Sequence, residues 1–346
     1  MFSFKKYIAL FTIVLLSLST TLAQEPTFSK EEIELQSKVR GHLNAAREYL
    51  SASKVDLAKL EIDSALQLAP KNWVANTMMG DLMKNRTDYL HALLSYDKAI
   101  LINSTNPTLY YKRAELHIKL NNHREYIVGD YDRAIAIDPG NTLYYIQKAH
   151  YYANSVNPDN FKTDYKSAIN TINNVLVIYP ENPELLYLKS KYLLGDHQNL
   201  SALTEVNKAI VLDPTNDTYL AQRGNINFEI TRYRAALADF NRAIKINNKS
   251  SSYYKYRGHT NFNLDQYAKA YDDYSNSIDL IISRIEAKRG SVSYDGSLNK
   301  DLRGLLLFRG MSLVHDNRPY DGCDDFKRAS QMGETKARNY IRKYCN

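Results

Sequence analysis

Cysteine is almost absent from this sequence, with two in 346 residues, Cys323 and Cys345. So few thiols exclude a multi-bridge secreted scaffold and a four-thiolate zinc site. Glycine and proline are sparse, at 13 and 9 copies, which argues for long helices over a turn-rich sheet. The short motifs of catalysis are missing: no G-x-S-x-G elbow, no dinucleotide-binding glycine fingerprint, no phosphate loop ending in Gly-Lys-Ser/Thr. The histidines (His42, His91, His117, His123, His150, His197, His259 and His315) are scattered. No two stand three or four apart, as a helical metal pair would require. Asp272-Asp273 and Asp324-Asp325 are direct neighbours, and neighbours on a helix diverge by about 100°. They read as solvated helix positions rather than paired catalytic carboxylates. No catalytic group, cofactor or metal is expected.

Long apolar runs are confined to the N terminus. Lys5 and Lys6 precede an apolar stretch from Tyr7 to Leu18, and small residues around Thr21-Leu22-Ala23 lead into polar Gln24-Glu25-Pro26. That order is expected of a secretory signal peptide over residues 1–23. The stretch is shorter than the roughly 20 residues that span a bilayer, although an uncleaved anchor is the alternative. The expected location is therefore export, to the periplasm or the medium, with no integral membrane segment after cleavage. The formal charge of +7 becomes +5 once Lys5 and Lys6 leave. Residues 284–346 alone carry 13 Lys/Arg against 8 Asp/Glu. A basic end on a near-neutral body lacks the dense cationic face of a nucleic-acid binder, so none is expected as partner.

What the chain has is repetition. Ala58, Ile62, Ala65 and Pro70 form a spacing that returns as Ala92, Tyr96 and Ala99, as Ala202, Val206, Ala209 and Pro214, as Ala236, Phe240 and Ala243, and as Ala270, Tyr274 and Ser277. On a helix this puts two small residues and one large one on a single face. Upstream of each lies a second helical segment with a small residue at one place: Ala46, Gly80, Gly224, Gly258 and Gly310.

This pattern resembles the tetratricopeptide repeat, a pair of antiparallel helices in about 34 residues. Starts fall at Val39, Trp73, Thr108, Thr142, Pro183, Asp217, Ser251 and Arg303, with spacings of 34, 35, 34, 41, 34, 34 and 52. The resemblance implies an all-α solenoid of helical hairpins wound as a right-handed superhelix. The expected layout is a lead-in over residues 24–38, repeats one to seven over 39–283, a helix extension and loop over 284–302, and a terminal repeat with a capping helix over 303–346. The seven extra residues of the 41-residue step fall around Asn154–Asn160, as a longer loop inside the fourth repeat. The eighteen extra residues of the 52-residue step lengthen a second helix from Ile278 to Arg289 and leave a loop around Gly290–Ser297. Tyr96, Tyr131, Tyr165 and Tyr274 are expected as the large knob of a second helix. Gly322-Cys323-Asp324-Asp325-Phe326-Lys327-Arg328-Ala329 resembles terminal repeats of exported Bacteroidetes-type proteins.

The resemblance also implies a binding groove lined by first helices. Mapped onto this chain, it is lined by Lys112, Arg113, Leu116 and Lys119, by Tyr187, Leu188 and Lys191, by Gln222, Asn225 and Phe228, and by Lys255, Tyr256, His259 and Phe262. This mixed basic and aromatic surface suits a protein or peptide partner, an acidic one included. A scaffold that binds without catalysis is expected. The alternative is an envelope-polysaccharide module using the tyrosines. The family's clamp for chaperone tails is not carried over, because Leu116 stands where its Asn would be. Oligomeric state is not readable. Finally, an even cysteine count in an exported chain fits a Cys323–Cys345 bridge, with two free thiols as the alternative. Cys323 would begin the second helix of the last repeat, and a capping helix would bring Cys345 back beside it.

Overall fold

A computed structural model describes residues 29–156, 162–287 and 296–345. They fall into two compact units divided between Asp138 and Pro139. The first holds three helical hairpins: α1 (Lys30–Ser51) with α2 (Val55–Leu68), α3 (Trp73–Asn85) with α4 (Tyr89–Ile102), and α5 (Pro107–Lys119) with α6 (Arg124–Ile137). The second holds five: α7 (Thr142–Asn154) with α8 (Tyr165–Leu176), α9 (Pro183–Gly195) with α10 (Asn199–Leu212), α11 (Asp217–Glu229) with α12 (Tyr233–Ile246), α13 (Ser251–Asn263) with α14 (Tyr267–Ala287), and α15 (Gly296–His315) with α16 (Cys323–Gln331). A last helix, α17 (Ala337–Tyr344), packs on α16. Among the described residues the one β contact is an isolated bridge between Val156 and Thr163.

Two local devices repeat and set the register. First helices open on an asparagine: Asn72, Asn106, Asn141, Asn182 and Asn216 each accept a hydrogen bond from a backbone N–H of the first turn. The turn between the helices of a pair uses one residue in the left-handed region: Ser53, Thr87, Asn121, His197, Thr231, Asp265 and Asn317, with φ between 52° and 61°. None is glycine, so strain at the turn is offset by the packing of the two helices it joins.

That packing is a knob on a small residue. Tyr96, Tyr131, Tyr274, Phe240 and Phe326 are among the largest fully buried side chains, each worth about 2–3 kcal/mol of burial. A Cβ added to Gly80 would lie 2.6 Å from the Tyr96 ring, and one added to Gly224 would lie 2.8 Å from Phe240. Close approach of the two helices therefore requires the bare backbone there.

Three sequence expectations need correction. The third repeat begins at Pro107, not Thr108, because Asn106 is its cap. Tyr165 is not a knob: it opens α8 against Gly195, and Ile172 fills the interior instead. The lead-in, for which the sequence set no structure, is helical from Lys30, where Ser29 and Glu32 form a capping box. Asp273 and Asp325 are buried, and only their neighbours Asp272 and Asp324 are exposed. The lengthened second helix is present to Ala287, and α15 opens at Gly296, inside the expected loop. Residues 157–161 and 288–295, the centres of the two insertions, lie outside the described residues, as does the expected signal segment.

Candidate binding face of the first helices

In the first unit two of the groove candidates, Lys112 and Arg113, are already spent on internal pairs. The Lys112 ammonium donates to both carboxylate oxygens of Asp81 at 2.6 and 2.7 Å, and the Tyr96 hydroxyl donates to the same group at 2.6 Å. Burial, then Asp81, holds the Tyr96 phenol far above its ordinary range. Lys84 pairs with Glu115 at 2.8 Å. Lys119 is exposed at the end of α5. Apart from Lys119, the charges on this face cancel in place.

Arg113 is not a groove residue at all. Its guanidinium lies between hairpins, donating to Asp130 at 2.7 and 2.9 Å and to Asp97 at 2.7 Å. The same device recurs as Arg223 with Asp239 and Asn207, Arg257 with Asp273 and Asn241, and Arg309 with Asp325 and Ser275. Each arginine binds the aspartate of its own second helix and a polar side chain of the preceding one. Two charge-assisted bonds lock the pair and one further bond reaches the preceding repeat. The signal is in the sequence: an Arg just before the small residue, then an Asp just before the knob, 16 or 17 positions on.

In the second unit Lys191 and Asn225 remain available. Lys191, Asn225 and Tyr256 line one cleft of about 420 Å³ together with His150, Leu194 and Phe228. Lys191 is exposed and has no ion pair among the described residues. Gln222 lies one turn before Asn225 on α11 and is only 7% exposed. Its Nε2 and the Asn225 Oδ1 are buried without hydrogen-bond partners. A buried donor and a buried acceptor left open cost about 1–3 kcal/mol each unless a ligand or water meets them. Tyr187 is half-buried against Tyr219, with ring centres 5.2 Å apart, and burial raises its phenol.

Lys255 and His259 line a second cleft with Lys300, Arg303 and Phe308. Lys255 reaches Asp301 at 3.1 Å and lies 5.3 Å from the centre of the Tyr256 ring. His259 hydrogen-bonds the Tyr274 hydroxyl at 2.8 Å and meets the Phe308 ring edge-on at 4.6 Å. Burial, helped by Lys255, pushes its imidazole down to about 4. His150, which sequence reasoning passed over, bonds the Tyr192 hydroxyl at 2.8 Å and is likewise lowered by burial, then by Lys191. Both rings are therefore neutral at pH 7, and Lys191 supplies the cation of the first cleft. Among the described residues no group of three or more His, Cys, Asp or Glu could hold a metal ion.

No protein-family model matches the chain, and no curated protein matches its sequence. Solved structures do match. The Cut9–Hcn1 hetero-tetramer of APC/C superposes with a TM-score of 0.54 at 13% identity, over 84% of this chain and 53% of that one. A tetratricopeptide repeat protein from Parabacteroides merdae covers 90% of this chain and all of its own, at 16% identity and a TM-score of 0.43. MamA covers 57% of this chain and 94% of its own, at 22% identity and a TM-score of 0.42. With its stacked hairpins and repeated knob on a small residue, the chain has the all-α tetratricopeptide-repeat fold.

Proposed function

We propose that the protein is an exported, non-catalytic scaffold that holds an extended segment of a partner protein on the first-helix face of its second unit. The cleft lined by Lys191, Asn225 and Tyr256 carries this reading. Asn225 puts a side-chain amide on the cleft wall, able to pair with the C=O or N–H of a peptide main chain. Lys191 adds a free cation for an acidic side chain, and Leu194, Phe228 and Tyr256 add apolar surface. Export is supported by the order of residues 1–26 and by the cystine at the other end.

A photo-crosslinking amino acid placed at Asn225 in the full chain in vivo tests the reading. Protein adducts at position 225, with none from Lys208 on the outer helix α10, are expected. Adducts only from position 208, or adducts at 225 that are glycan, would overturn it. Lys112 and Arg113 are unsuitable for charge reversal, because both would leave an aspartate without its partner.

A further inference from the structure

The C-terminal cap carries a charge pattern that nothing inside the molecule answers. Between Lys327 and Cys345 the sequence holds six Lys/Arg and a single carboxylate, Glu334; the preceding turn and the start of α16 add Asp321, which Arg318 holds, and exposed Asp324. Lys327, Arg328, Lys336, Arg338 and Lys343 are all exposed, and none has an ion pair among the described residues. Elsewhere many cations find an acid, among them Lys38, Lys59, Lys84, Lys112, Lys189 and the arginines of the interior ladder. The inner side of α17 is apolar: Ala337 is fully buried and Tyr340 stacks on Phe326, with ring centres 5.0 Å apart. The helix thus points its cations outward because its other side is committed to α16.

The Cys323–Cys345 cystine assembles the patch. It joins the start of α16 to the end of α17, with Cα atoms 5.6 Å apart. Cys323 Sγ also lies 3.5 Å from the Tyr344 carbonyl oxygen. The short 3₁₀ turn Pro319–Gly322 is thereby held beside the Arg342-Lys343-Tyr344 end of α17. On that turn Tyr320 is 77% exposed, the most exposed large aromatic of the molecule among the described residues. A cluster of unpaired cations next to a projecting tyrosine is the combination that favours a bilayer interface. The cations meet anionic headgroups, and the amphipathic ring settles at headgroup depth. An acidic protein surface would also supply carboxylates and take up a tyrosine, so an acidic polypeptide is the competing occupant.

We propose that the α16–α17 cap is a peripheral docking surface for an anionic lipid bilayer. It is distinct from the first-helix face and does not depend on the function proposed for it. The patch is too small to insert. It binds by charge, with Tyr320 as a shallow anchor, and weakens as salt screens it.

Sedimentation with phosphatidylglycerol-containing vesicles tests this, with parent and variant chains of the same length so that any N-terminal contribution is common to both. The parent should bind these vesicles, bind phosphatidylcholine vesicles far less, and release as salt rises. Each cation near a bilayer counts for about a fivefold change in partition. Lys327→Glu, Lys336→Glu, Arg338→Glu and Lys343→Glu together should therefore lower partition by at least about a hundredfold. The same four positions changed to Gln should give a smaller loss, and this milder set keeps the test usable if the reversed chain misfolds. Tyr320→Ser should weaken binding several-fold without changing its salt slope. Equal binding to neutral vesicles, or unchanged binding by a folded variant, would overturn the proposal. So would capture of polyglutamate with no vesicle binding, which would assign the patch to acidic polypeptides instead.

Discussion

Arg257 holds the most completely buried carboxylate of the interior ladder, and removing it should expose what the ladder does. Its guanidinium contacts Asp273 at 2.6–3.1 Å and Asn241 at 2.9 Å, and Asn261 adds a bond to Asp273 at 2.8 Å. Asp273 is 2% exposed. In Arg257→Met the aspartate keeps only the amide. Leaving a buried charge without its partner costs about 3–5 kcal/mol. Replacing both, as Arg257→Met with Asp273→Leu, removes the charge together with its partner, and should restore most of that loss.

The pH dependence has a definite sign. Burial already raises the Asp273 carboxyl, with Arg257 and Asn261 pulling it down. Without Arg257 the raised folded value rises further. A carboxyl whose folded pKa exceeds its unfolded one favours the folded state at low pH, and that contribution is lost as pH climbs through the folded value. The deficit of Arg257→Met against the parent should therefore be largest at neutral pH and shrink toward pH 5. Urea unfolding followed by far-UV circular dichroism at both pH values reads this, with hydrogen exchange of α13 and α14 as the local probe, since repeat arrays can open in parts. A loss under about 1 kcal/mol at neutral pH, a pH-independent deficit, or a double variant no better than the single one would refute the reasoning.

Three further outcomes follow from other contacts. Gly224→Ala should cost about 1–3 kcal/mol, because its Cβ would lie 2.8 Å from Phe240, whereas Gly41→Ala on exposed α1 should gain about 0.5–1 kcal/mol; the same urea assay decides both. His259, lowered to about 4, contributes stability that is complete above about pH 6.5 and is lost as pH falls toward its folded value, so an NMR titration should find its midpoint well below 5, and a midpoint near 6.5 would contradict its buried placement. Reduction of Cys323–Cys345 opens a loop of 22 residues, worth roughly 3 kcal/mol, and should strip exchange protection from α17 while sparing α9 to α12.

Most of the fold was legible because its cause is local. The small residue, the knob and their spacing are dictated by one helix touching the next, so Gly80 with Tyr96, Gly224 with Phe240, Gly258 with Tyr274 and Gly310 with Phe326 can be paired from the sequence alone. The terminal helix was legible for the same reason, since Gly333, at φ +90°, closes α16 and the apolar side of α17 follows within a few residues. The register failed where the repeats lose that regularity. One extra residue moved the third repeat by a position, and the insertion before α8 left Tyr165 looking like a knob at the ordinary distance, when Ile172 has the burial.

The binding face was legible only as a set of positions, because a position does not say whether its charge is satisfied. Lys112 and Lys191 both occur on a first helix with aromatics nearby. One meets Asp81, a residue 31 positions earlier, and the other meets no acid at all. Arg113 adds a second lesson, since it was grouped with Lys112 as an exposed cation although it lies one position along the helix. One position is about 100° of rotation, enough to carry a side chain from the open face to the seam between hairpins. What distinguishes the two arginine environments is the aspartate before the knob, Asp130 for Arg113, which turns a surface cation into a buried bond. A cation on these helices is therefore free for a partner only when its own second helix lacks that aspartate and the preceding first helix lacks an acid. Lys191 meets both conditions, since the acid before the knob of α10 is Glu205, already taken by Lys189 and Lys208, and α7 holds no Asp or Glu. The unpaired amides beside it have no counterpart in the first unit among the described residues. For that reason the open chemistry of the first-helix face is concentrated on α9 and α11.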